Sequence, residues 1–335
     1  MREDCCLLAR VAAVPLGLSG MKNLLRQWTL GTSLRNEYVC LVKGALSNPL
    51  NVYLKLDRES FDVTEAQVLL SYQPLVIGLA LADARIISRL NGQSLVRFSF
   101  QAAAGEEVAW LELKRLKEWR IGEMDMILYT GQRGKHKFLS NFYQLMNRGH
   151  QLLRSFKPRD GALSAGLYDQ VRIAYASPRS VSVISVGDGD LCNMFPTDLH
   201  GAMGEKFYVG ALRIGGKACD QVEKHKRIVI SKVSASSFKE TYALGKNHMS
   251  GLKEASRLDT LGVSEMWKLP LPRSVVSYKE LDWKSSFDVG LHRIHFYDVV
   301  NIKTVHPEKP ALTHIHAFYA QWRMNRGLGG EYFLR

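Results

Sequence analysis

The sequence predicts a mainly β fold with short helices. Three observations carry the prediction. Apolar and polar residues alternate with a period of two through Tyr38–Val42, Asn51–Leu56 and Val289–Val305, the mark of half-buried strands. Turn residues such as Asn48-Pro49, Asn91-Gly92 and Gly187-Asp188-Gly189-Asp190 punctuate the chain. Helical periodicity is confined to short stretches, among them Asn141–Phe156 and Lys217–His225.

A chain of 335 residues is comfortable for two domains. The net charge of +13 favours anionic partners or phosphate-bearing ligands. No window approaches the ~20 consecutive apolar residues a membrane helix requires, so no membrane partner is expected. Cys5, Cys6, Cys40, Cys192 and Cys219 form no CxxC and no even framework. That predicts a reducing, cytoplasmic setting without a metal site.

Taken in order, residues 1–20 read as a disordered extension ahead of Met21, with a signal peptide as the alternative. Residues 21–156 read as an N-terminal mainly β domain of unrecognised type with a closing helix. Its strands are Tyr38–Val42, Asn51–Leu56, Ser94–Phe100, Val108–Leu116 and Met126–Tyr129. Val63–Leu81 is ambiguous: Thr64–Gln67 could open a helix, while Pro74 and Leu75–Leu81 favour a strand. From Lys114 to Arg159 eleven Lys or Arg are interleaved with Trp119, Tyr129, Phe138, Phe142 and Tyr143. Basic plus aromatic suits single-stranded nucleic acid. A solvated face with its aromatics turned inward is the favoured reading, because no recognised binding module accompanies the charge.

Residues 157–166, beginning Lys157-Pro158-Arg159-Asp160-Gly161, read as a linker, and 167–335 as the second domain. Val181, Val183 and Val186 open a strand that breaks at the Gly187–Asp190 turn. A polar run follows, with Asn193, Thr197, Asp198 and His200. Then come strand Phe207–Leu212, helix Lys217–His225, strand Arg227–Val233, helix Ser237–Leu244 stopped by Gly245, and a second short helix, Gly251–Leu261. Leu269–Trp283 and Val289–Val305 are extended. Pro310 opens a final helix, Ala311–Asn325, which carries His314, Phe318, Gln321 and Trp322 on one face.

This order resembles the flavin reductase-like family of FMN-binding split β-barrels, over about residues 168–305. The matching positions are Asn193 and Thr197, then Lys217-Ala218-Cys219-Asp220-Gln221-Val222, then Ile228–Ser231, and Gly290, His292, Ile294 and Val299 on the last long strand. Cys219, Ser231 and Leu291 stand where the family often has Thr, Asn and Asp. The resemblance implies a C-terminal split barrel that binds FMN in a homodimer, with NAD(P)H as donor and a partner oxygenase or other acceptor. It implies FMN contacts from Asn193, Phe195, Thr197, Asp198, His200, Lys217, Ser231, Lys232, Lys246, Asn247 and His248, and a catalytic role for His292 beside the nicotinamide.

The expected function is therefore an NAD(P)H-dependent flavin reductase transferring hydride to flavin N5. The flavin carries the redox chemistry and the protein supplies placement. The alternatives are a flavin-binding electron carrier or sensor without NAD(P)H turnover, and a nucleic-acid-binding protein using Lys114–Arg159.

Overall fold

A computed structural model of the protein describes residues 32, 34, 36–121, 124–155, 164–188, 190–328 and 333–334. The expected disordered extension at 1–20 and most of the linker lie outside the described residues. The fold class is the predicted one, strands with short helices.

After β1 (Tyr38–Val42), a seven-stranded antiparallel sheet forms from consecutive segments. These are β2 (Asn51–Leu56), β3 (Glu59–Asp62), β4 (Gln67–Tyr72), β5 (Leu75–Leu81), β6 (Leu95–Gln101), β7 (Glu107–Ile121) and β8 (Met124–His136). The ambiguous Val63–Leu81 is thus a hairpin of β4 and β5, and Thr64–Gln67 opens no helix. Helix α1 (Ala84–Leu90), absent from the sequence reading, is capped by the Asp83 side chain on the Arg85 amide. Helix α2 (Asn141–Ser155) follows as expected. Helix α3 (Ala165–Ala174), capped by Ser164, was not anticipated.

The second half is built on an eight-stranded antiparallel sheet in the order β12-β13-β19-β18-β14-β10-β11-β15. After β9 (Arg179–Ser180) come β10 (Ser182–Asp188), β11 (Leu191–Thr197), β12 (His200–Met203) and β13 (Phe207–Arg213). Helix α4 (Lys217–His225), β14 (Arg227–Val233), helix α5 (Phe238–Ala243) and β15 (Lys253–Glu254) follow. The polar run after the Asp190 turn is therefore strand, because Asn193, Phe195 and Thr197 point inward while the chain pairs with β10. The expected helix at Gly251–Leu261 is instead β15, a 3-10 turn and β16 (Thr260–Val263), which pairs with β17 (Pro270–Pro272). Next come β18 (Val275–Val289) and β19 (His292–Thr304), which turn at Gly290. The final helix is shorter than expected: Leu312–His316 is strand β20, paired along its length with β1, and only Ala317–Asn325 is helical (α6). β21 (Phe333–Leu334) completes a four-stranded sheet, β21-β1-β20-β9.

The two large sheets share a core. On β13 and β19 the side chains alternate. Val209, Ala211, Ile294 and Phe296 join the cluster of the seven-stranded sheet, with Val68, Leu69, Leu79 and Leu113. Tyr208, Leu212 and Tyr297 face the other way, into a cluster with Ile184, Phe195, Ile228, Ile230 and Val222. That second cluster draws on β10, β11, β13, β14, β18 and β19, so the eight-stranded sheet curls round one interior, with α4 over one end. Trp119 spans the joint, its ring 4.6 Å from Phe287 and 5.2 Å from Phe296. Approach is close at two glycines. A Cβ on Gly201 would press on Val68, and one on Gly290 (φ +57°) on the Gln73 carbonyl, which accepts the Leu291 amide at 3.0 Å. Arg323, fully buried, ties α6 to the loop before β2 by donating to the Asn48 carbonyl at 3.1 Å and the Ser47 carbonyl at 2.5 Å.

Gly290→Ala meets both a left-handed backbone and an occupied space. It is expected to cost about 2 kcal/mol or more in chemical denaturation. Gly251→Ala, with nothing within 4 Å, serves as the neutral control; equal stability of the two variants would refute the account of this joint.

Candidate functional site

The expected flavin contacts separate into two groups at opposite ends of the barrel interior. At the α4 end, Asn193 is fully buried and its amide donates to Gln221 Oε1 at 2.8 Å and the Asn247 carbonyl at 3.0 Å. Asn247 in turn donates to the Met194 carbonyl at 2.8 Å and accepts from Lys253 at 3.2 Å. His248 Nε2 lies 2.8 Å from the Pro196 carbonyl, with its ring against Phe195. These groups lock the 3-10 turn Leu244–Met249 onto β11 and α4, so their amide donors are spent inside the protein, while the buried Asn193 Oδ1 has no partner among the described residues. Lys217 and Lys246 are exposed at this end.

At the other end a polar row crosses three strands. Thr197 on β11 lies opposite Ser182 on β10, and Ser182 lies opposite Lys232 on β14. Directly opposed residues share a face, here the interior face of Ile184, Phe195 and Ile230. Ser182 is buried, and its hydroxyl has no hydrogen-bond partner among the described residues. Burial pulls the half-buried Lys232 ammonium below its usual range, and the charges of Lys43 and Lys279 add to this. Among the described residues no carboxylate offsets them at Lys232. His200 shares this end. Its Nδ1 meets the Tyr208 hydroxyl at 2.7 Å, and the backbone of Ser180 and Thr197 interacts with the ring. Burial pushes its pKa down to about 4, so the ring is neutral near pH 7.

Ser231, one residue from Lys232, points to the opposite face; it is buried and its hydroxyl too lacks a partner. Asp198 leaves the row and enters a buried network. It accepts from Tyr175 at 2.8 Å and lies 2.9 Å from His314 Nε2, while His314 Nδ1 meets the Tyr242 hydroxyl at 2.6 Å. The His314 hydrogen bond and charge and the Tyr175 hydroxyl outweigh burial and hold the Asp198 carboxyl at about 2. This Asp198–His314–Tyr242 chain was invisible in the sequence. Its members are scattered, and His314 was read onto a helix face.

His292 sits at the joint between the sheets and is 2% exposed. Its Nδ1 is 2.9 Å from Ser71 Oγ and its ring stands edge-on to Tyr72 at 4.6 Å. Strand β4 therefore covers the face expected to meet a nicotinamide. His295 points the other way, as the strand period requires, to Cys219 Sγ at 3.9 Å and Glu223 at 3.3 Å. Burial pushes both imidazoles down to about 4. Among the described residues no group of three His, Cys, Asp or Glu could hold a metal ion, and no helix is long and apolar enough to cross a membrane.

No family model and no curated protein sequence matches the chain. Solved structures do. The NADH:FAD oxidoreductase SgcE6 of Streptomyces globisporus C-1027 is 15% identical, over 45% of this chain and 89% of its own, with a TM-score of 0.39. An FMN-binding protein from Thermus thermophilus is 14% identical, over 41% of this chain and 81% of its own, with a TM-score of 0.35. BorF, the flavin reductase component of a bacterial two-component tryptophan halogenase, is 13% identical, over 45% and 94%, with a TM-score of 0.39. The chain is thus similar in fold to flavin reductases and FMN-binding proteins over less than half its length.

The site's titration predicts the acid limb of stability. His200, His292 and His295 bind protons more readily unfolded than folded, so the stability they contribute is complete above about pH 6.5. It is lost as pH falls toward 4. Asp198 adds a second loss, from pH 3.8 toward 2. Denaturation midpoints across this range test the prediction, and His295→Gln should flatten the first limb; a flat profile between pH 6.5 and 4 contradicts it.

Proposed function

We propose that the protein is a flavin-binding oxidoreductase whose ligand's phosphate is held by Lys232, Thr197 and Ser182. The observation that supports this is the half-buried Lys232 ammonium, which feels the charges of two further lysines, has no counter-charge among the described residues, and stands in register with hydroxyls of which one is unsatisfied. A buried cation without a partner is costly, and an anion relieves the cost. The residues at this end fit a phosphate. Those of the Asn193 group fit it less well, because the fold already uses them.

When bound, the flavin supplies the hydride chemistry at its N5, with NAD(P)H as donor. The chain's own residues do the rest. Lys232 and the hydroxyl row bind and orient. His200, neutral near pH 7, offers a hydrogen bond rather than a charge, fixed in direction by Tyr208. His292 is a positioning residue at the joint of the sheets. On this reading the chain works as a homodimer and passes electrons to a partner that consumes reduced flavin. A second reading, a flavin-binding carrier or sensor without NAD(P)H turnover, is favoured by one observation: Ser71 and Tyr72 cover His292.

The test is the visible absorbance spectrum of the protein with added FMN, before and after anaerobic NADH or NADPH. Flavin bands that bleach support the reductase. Bands bleached by dithionite alone support the carrier. Failure to take up FMN overturns both. Lys232→Met should weaken FMN binding roughly tenfold or more, whereas Lys246→Met should leave it within about twofold.

A further inference from the structure

The seven-stranded sheet carries a second, unassigned surface. Its inner face is apolar: Val52, Leu54 and Phe98 are fully buried. The alternate residues of β2, β6, β7 and β8 form a row on the outer face of the sheet, in which Ser99 is covered and donates to Glu107 at 2.7 Å. Tyr53 lies opposite Ser99, Ser99 opposite Trp110, and Trp110 opposite Lys135. The neighbouring row reads Lys55, Arg97, Glu112, Arg133 in the same way. Two half-exposed rings, Tyr53 and Trp110, therefore stand on one face, flanked by cations. Lys55 Nζ lies 5.8 Å from the Tyr53 centroid, and Arg97 lies 4.6 Å from that of Trp110.

The row ends in a cavity of about 480 Å³ walled by Trp110, Arg133 and Lys135 on the sheet and by Asn141, Gln144 and Arg148 on α2. Arg133, Lys135 and Arg148 bring cationic donors to it, while the Gln144 amide nitrogen is spent on the His136 and Leu139 carbonyls. Arg133 is held bidentate by Glu112, at 3.0 and 2.9 Å, so it is fixed in place and largely neutralised. Arg148 shares Asp169 with Arg172, and 52% of its side chain is exposed. Lys135 is exposed and has no carboxylate within ion-pair distance among the described residues. The basic 114–159 run supplies this charge. Most of its aromatics do not take part: Tyr129 and Phe138 are buried, and Trp119 is at the joint between the sheets. Trp110, just outside the run, is the ring the charge surrounds.

We propose that this face binds single-stranded nucleic acid. Bases stack on Trp110 and Tyr53, and Lys135, Arg148 and Lys55 meet the phosphates. A sheet face with partly exposed rings and flanking cations offers bases a π-face and phosphates a donor, without demanding a sequence. The net charge of +13 has the sign this partner requires. The surface lies on a different sheet from the Lys232 row and is independent of the flavin reading.

The experiment is fluorescence anisotropy of a labelled oligothymidylate titrated with the full chain, repeated between about 50 and 200 mM salt. The expected result is saturable binding that weakens steeply with salt, with a slope of about −0.7 per phosphate neutralised. Trp110→Ala should weaken binding roughly tenfold at an unchanged salt slope. Lys135→Ala should weaken it and make the slope shallower; being an exposed charge, it keeps the proposal testable if Trp110→Ala fails to fold. No binding, or binding indifferent to Lys135→Ala, overturns the proposal. So does AMP competing as well, mole for mole, as the oligonucleotide, since the site is then one for free nucleotides.

Discussion

One constraint organises the molecule: the face of β12, β13 and β19 that carries Val209, Ile294 and Phe296 must be covered, and the seven-stranded sheet covers it. Apolar burial of this kind is worth roughly 25 cal/mol per Å², and it is distributed over residues from both halves of the chain. β1 paired with β20, Arg323 tied to the Ser47–Asn48 loop, and Gly290 pressed on Gln73 are the further bonds of the same joint. Because the joint is apolar and close, His292 becomes part of the packing.

The other face of those strands is left to do something else. Its α4 end is closed by amide-to-carbonyl hydrogen bonds from Asn193, Asn247 and Gln221. Its opposite end holds the Lys232 ammonium, the Thr197 and Ser182 hydroxyls and the neutral His200 imidazole. Buried polar groups in folded proteins find partners as a rule; among the described residues the Ser182 hydroxyl at this end and the Asn193 Oδ1 at the α4 end both lack one.

Much of this was legible in the sequence, and the failures have physical causes. Strand β2 matches its periodic stretch because one face is buried and the other is not, and β1 matches its bounds as an apolar run buried on both faces through Val39, Cys40 and Leu41. β11 was hidden, since an inward-facing Asn193 and Thr197 erase the apolar alternation. β20 was read as helix because its His314 and His316 are buried on tertiary contacts that propensity cannot see. Lys232 and His200 stand among the expected flavin contacts and Ser182 does not, although a serine in phase with Ile184 and Val186 is a visible signal. The cover that β4 places over His292 could not be read at all, because it depends on packing between segments more than two hundred residues apart.

The central claim is that the Lys232 end, and not the Asn193 end, is the ligand's seat. The most direct measurement is an experimental structure of the protein soaked with FMN. The account predicts density for a phosphate within hydrogen-bond distance of Lys232 Nζ and the Ser182 hydroxyl, with the Asn193–Gln221–Asn247 bonds intact. A phosphate beside Lys217 or Lys246, or a flavin that breaks the Asn193 bonds, would contradict it.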